Sequence, residues 1–112
     1  MINYNDKIFR PVSSTLNAET SSETTFKYKQ FDDLLISTYS GGKIKYGHLI
    51  GLVDSMGNID MRYHQINEKG ELMTGLCKSK PELLENGKIR LHESWKWTSG
   101  DFSEGTSIIE EQ

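Results

Sequence analysis

From about residue 24 to its end the chain is a succession of strand-length segments separated by turn residues, and no stretch carries an apolar stripe of helical period. Consecutive strands joined by short turns pair antiparallel in chain order, and a long meander of that kind loses its exposed edges by closing into a barrel. Segment 24–31 sets Phe26, Tyr28 and Gln30 against Thr25, Lys27, Lys29 and Phe31, the period of a half-buried strand. Asp32-Asp33 turns it into 34–40, and Gly41-Gly42 is a two-residue link that accepts positive φ. Segment 43–54 is long enough to need a bend, for which Gly47 and Gly51 are the candidates. A turn over 54–58 leads to strand 59–66, and Asn67-Glu68-Lys69-Gly70 leads to strand 71–79. Segment 81–86, ended by Gly87, reads as a short helical turn. Strand 88–98 holds both tryptophans, a polar loop covers 99–105, and a last strand is expected over 106–110. Ahead of the meander, 7–12 reads as a short strand with Pro11 at an edge or a strand end. Segments 1–6 and 13–23 read as flexible loop, with a single helical turn near Ala18 as the alternative. The expected fold is all-β, an antiparallel up-and-down barrel of about eight strands in one domain over 1–112.

Charge and composition remove several classes of function. The net charge is −3 and the lysines stand singly among apolar residues, so no basic track for a nucleic acid exists. One cysteine, Cys77, excludes an intrachain disulfide. No apolar run approaches the roughly 20 residues of a membrane helix, and the first residues carry neither a basic nor an apolar leader segment. The expectation is a cytoplasmic protein with no membrane or nucleic-acid partner.

Strand 88–98 sorts its faces most sharply. Ile89, Leu91, Glu93, Trp95 and Trp97 share one face, and two adjacent tryptophans in water would form a large apolar patch, so that face turns inward. Glu93 is then an acid inside a barrel. Burying an unpaired carboxylate costs several kcal/mol, so it must find a partner, hold its proton, or face a wet cavity. Two readings follow: Glu93 anchors a ligand or transfers a proton, or it sits near a barrel end against a turn or an arginine. In strand 59–66 the same parity sends Ile59, Met61, Tyr63 and Gln65 inward. The opposite parity would put Arg62 and His64 inside and expose Met61 and Tyr63. An interior of Trp, Tyr, Met, Gln and one Glu has the apolar walls and few polar anchors of a small-molecule site. A small eight-stranded barrel filled by its own side chains has a similar sequence, and a cavity under about 300 Å³ would fall short of typical ligand sites and count against binding.

His48, His64 and His92 each stand alone in their strands, so no metal site is expected and all three read as surface residues. Cys77 has no basic neighbour in its strand and reads as a small core residue. There is no G-x-S-x-G elbow, phosphate-binding glycine loop or H-E-x-x-H, so no catalytic residue and no cofactor is assigned.

The segments 39–44, 49–54, 61–65, 71–75 and above all 92–101, with its Trp-x-Trp-Thr-Ser-Gly-Asp, resemble a family of small bacterial proteins of about this length and uncharacterised activity. Its members are often labelled N-acetylglutamate synthase. An acyltransferase of that kind calls for a pyrophosphate loop opening a helix in an α/β fold, and this chain has neither. The resemblance implies a calycin-like barrel similar to lipocalins and fatty-acid-binding proteins. The expected function is non-enzymatic binding of a small apolar or amphipathic molecule, walled by Trp95, Trp97, Met61 and Tyr39 and anchored by Tyr63, Gln65 and Glu93. The alternatives are an enzyme using Glu93 as acid or base, and a filled barrel acting through its surface, as a homodimer through an edge strand.

Overall fold

A computed structural model describes residues 2–112, and its eight strands form a single closed barrel. They are β1 (Ile8–Ser14), β2 (Thr25–Phe31), β3 (Leu34–Gly41), β4 (Ile44–Val53), β5 (Ile59–Asn67), β6 (Leu72–Leu83), β7 (Ile89–Trp97) and β8 (Glu104–Glu111). Each strand pairs antiparallel with its neighbour in sequence, and β1 closes the ring on β8 through Phe9–Glu111 to Ser14–Ser107. The up-and-down barrel expected from the alternation is the fold observed. The seam between β1 and β2, paired only at Ile8 and Phe9, is the shortest in the barrel.

Two details depart from the expected strands. The helical turn expected over 81–86 is instead the end of β6, with Pro81 opposite Leu91 and Leu83 opposite Ile89. The hairpin then turns on the Leu84 N–H to Lys88 carbonyl bond. Helix-forming residues there are overridden by pairing with β7, because a twelve-residue strand lets the hairpin run past the barrel rim. Pro11 lies inside β1, not at its end, at a register shift between Pro11 and Ser13. It needs no ladder N–H there, because β1 pairs with β2 only at Ile8 and Phe9.

The side-chain parity follows the alternation. Ile59, Met61, Gln65, Leu91, Trp95 and Trp97 are buried, while Arg62 and His64 are exposed on the outer face. One end of the interior is filled by rings. Phe9 and Tyr28 lie 4.8 Å apart between centroids, and Tyr4 packs on both. Tyr4 belongs to segment 2–6, expected as loop; it carries no strand hydrogen bonds, yet it is fully buried and its hydroxyl donates to the Gly57 carbonyl. Its backbone N–H is held by Gln30 Oε1 at 2.8 Å. The segment therefore crosses the end of the barrel as a plug.

Candidate functional site

The opposite end of the interior is lined, not filled. Register alone places its polar floor: Ser79 of β6 lies directly opposite Glu93 of β7, which lies directly opposite Ser107 of β8. All three point inward, so two hydroxyls converge on one carboxylate. Ser107 Oγ donates to Glu93 Oε1 at 2.9 Å and Ser79 Oγ donates to Oε2 at 3.2 Å. Glu93 thus lies neither at a turn nor against an arginine. Leu91 and Ile109, one inward position further along, begin the packed end. Burial pushes the Glu93 carboxyl up to about 7, against the opposing pull of the Ser107, Ser79 and Cys77 hydrogen bonds. None of the ion pairs among the described residues includes Glu93.

Above this floor stand the rings. Trp95 and Trp97 meet edge to face at 6.0 Å, Tyr63 meets Trp97 the same way at 5.4 Å, and Tyr39 stacks on Phe26 at 4.8 Å. Three of these rings rest on glycines in directly opposed strand positions: Tyr39 on Gly47, Tyr63 on Gly75, and Trp95 on Gly105. A Cβ at any of the three glycines would come within 2.4 Å of its ring. Gly47 therefore serves as a seat for Tyr39, which is its reason for standing in mid-strand. The hydroxyl of Tyr39 donates to Gln65 Oε1 at 2.9 Å, and burial raises its pKa, as it does those of Tyr63 and Cys77.

The mouth is covered by the 15–24 connection. Far from running free, it is tied to three strands: Asn17 Nδ2 donates to the Glu104 carbonyl at 2.8 Å, Asn67 Nδ2 donates to Glu19 Oε1 at 3.0 Å, and Thr24 Oγ1 donates to the Gly41 carbonyl at 3.2 Å. Ala18, Glu19 and Thr20 line the cavity beneath. The cavity volume is about 50 Å³, enough for a few water molecules and well short of the roughly 300 Å³ of a typical ligand site. A second, larger depression of about 1150 Å³, open to solvent, is lined by residues of β1 and β4–β8, among them Asp60, Lys78 and His92 and also Ser79, Glu93 and Ser107 of the polar floor.

All seven candidates from the sequence, Glu93, Trp95, Trp97, Tyr63, Gln65, Met61 and Tyr39, line this one cavity. The sequence reading missed Ser79 and Ser107, whose roles depend on register, and Phe26 and Leu49, which read as ordinary inward residues. It also missed the covering segment, whose polar composition suggested only a loop. The histidines lie outside: His48 and His64 are directly opposed and stack at 5.4 Å, and His92 Nε2 lies 2.8 Å from Glu82 Oε1. Among the described residues no group of three or more His, Cys, Asp and Glu is arranged to hold a metal ion.

Comparison with curated proteins gave no match, and comparison with solved structures gave none. The family described as Avidin-like protein matches over residues 2–112, nearly the full chain. A closed eight-stranded antiparallel barrel is the calycin-type architecture of that family, and with sequence match and topology in agreement the chain belongs to the avidin-like proteins.

Proposed function

We propose that this protein binds a small, partly apolar molecule inside the barrel without transforming it, with Glu93 as the principal polar anchor and Trp95 and Trp97 as walls. The observation that carries the reading is a carboxylate held by two hydroxyls at the floor of a ring-lined cavity. A purely structural interior gains nothing from an acid whose burial is uncompensated by a cation. Membership of the avidin-like family supports a small-molecule-binding barrel. Tyr63 and Gln65 add neutral anchors, and Met61 and Tyr39 complete the walls.

An acid that ionises near 7 also suits proton transfer. Against that reading, of the partners it calls for, the histidines lie on the outer face and burial keeps the Tyr63 hydroxyl protonated. The small cavity volume favours a different second reading, a filled barrel acting through its surface. The outer faces of β3, β4 and β5 expose Leu34, Ile50, Leu52, Tyr46 and Ile66, a surface suited to a second copy. Proton–nitrogen NMR of the two indoles separates the readings. Titration with benzyl alcohol, benzamide and benzylamine should move at least one indole resonance saturably. If no probe moves either indole, the filled barrel stands.

A further inference from the structure

We infer that the cavity is an aromatic cage for the positively charged head of an organic ammonium or amidinium compound, with Glu93 as its counter-ion. This rests on the interior-binding reading above and adds the chemistry of the ligand. Fourteen residues line the cavity; two of them, Glu19 and Glu93, are charged in type, both are acids, and no Lys, Arg or His is among them. Hydroxyl donors reach the Glu93 carboxylate, but no cation offsets its charge.

Trp95 and Trp97 cross at 61°, and Tyr63 and Trp97 at 79°, so the three present differently directed planes around one space. Ring faces carry the negative part of the aromatic quadrupole, tryptophan most of all, and a desolvated cation over them gains about 2 kcal/mol or more. An anionic ligand would meet the same faces and a carboxylate with repulsion. About 50 Å³ is room for a few water molecules, so a head group would have to displace them and shift the 15–24 cover to be seated. The remainder of such a ligand would leave through the mouth, beside Ala18–Thr20.

Charge compensation then links binding to protons. The groups facing Glu93 inside the barrel are Ser79, Ser107, Cys77, Tyr28, Tyr39 and Tyr63, and burial holds the thiol and all three phenols protonated; Glu19 lies in the cover, and Lys78, Lys80, His92, Asp33, Asp54 and Asp60 line the outer depression that also reaches Glu93. With the interior thiol and phenols held neutral, Glu93 is the acid that ionises within the cavity near 7, so a cation should bind better as that carboxyl ionises.

The test uses the intact chain and three probes of one shape: choline, its neutral isostere 3,3-dimethyl-1-butanol, and the anion 3,3-dimethylbutanoate. Binding is followed by calorimetry and tryptophan emission. At pH 8.5 choline should bind at least about tenfold more tightly than the alcohol, and the anion should not bind. Choline affinity should rise about tenfold or more from pH 5.5 to 8.5, while that of the alcohol stays level. Glu93→Gln should abolish the preference for choline over the alcohol. The pH series on the unaltered chain decides the matter even if the variant folds poorly. Equal binding of choline and the alcohol, or preference for the anion, overturns the cation assignment while leaving interior binding intact. Failure of all three probes, with no indole response to the benzyl series, overturns both.

Discussion

The two ends of this barrel are built by one rule and come out differently. At the plugged end, Tyr4, Phe9, Tyr28, Leu91 and Ile109 are almost wholly inaccessible to solvent, and rings pack on rings. At the covered end, inward positions carry Glu93, Gln65, Tyr63 and the tryptophans, and a cavity remains. Both ends follow strict alternation along the same strands. The difference lies in side-chain volume and in glycine. Where a strand sets an aromatic ring opposite a glycine, the ring lies flat against the wall and leaves the middle open. Where it sets bulky residues opposite one another, the middle fills.

This contrast can be broken most directly by truncation. Phe9→Ala at the packed end should cost roughly 3–5 kcal/mol in denaturant unfolding. Met61→Ala, on the cavity wall, should cost less, about 2 kcal/mol, because one side of Met61 already faces empty space. Equal losses would mean that the covered end is as densely packed as the other.

The second test concerns charge. Glu93 ionises near its ordinary value of 4.5 when unfolded and at about 7 in the barrel. Below the unfolded value both states hold the proton, and burial carries no ionic penalty. As pH rises through 7, the native carboxyl must ionise against burial, and that stability is lost. Glutamine cannot ionise. Glu93→Gln should therefore match the parent near pH 4 and exceed it by about 3 kcal/mol near pH 9, measured as the difference in unfolding free energy. A gap that stays flat with pH would show that the covered end solvates its acid as water does.

The third and smallest effect sharpens the role of glycine. Gly75→Ala places a Cβ 2.4 Å from Tyr63, so the ring must leave its seat. The expected cost is about 1–3 kcal/mol, with altered near-ultraviolet dichroism from the Tyr63–Trp97 pair. In a Tyr63→Ala background the same substitution should cost little. If the penalty persists there, the glycine serves the backbone and not the ring.

Much of this was legible in the residues. Period-two alternation gave the strands, the paired tryptophans gave the inward face of β7, and parity carried over to Met61, Tyr63 and Gln65. Glu93 was visible as an acid on a buried face. What stayed hidden depends on which residue lies across from which. Ser79 and Ser107 are ordinary polar residues until pairing brings them beside Glu93. The same holds for the three glycines, since nothing local marks a glycine as the seat of a ring on another strand. Tyr4 lies in a short segment without periodicity, so its burial had no pattern to announce it. Pro81 was misread because a proline among helix formers is a reasonable turn signal, and only the length of β7 shows that the strand runs on.

The closure of β1 on β8 carries a consequence for the order of assembly. Seven of the eight strand pairings join neighbours in sequence and can form as local hairpins, whereas Phe9 meets Glu111 across nearly the whole chain. Local contacts form early, and the entropy of bringing distant ends together is lost before the last contact repays it. Until the ring shuts, the sheet has two open edges and its interior is a groove in water. The cavity thus comes into being in a single late step, and the slow event in folding this protein should be the meeting of its first and last strands.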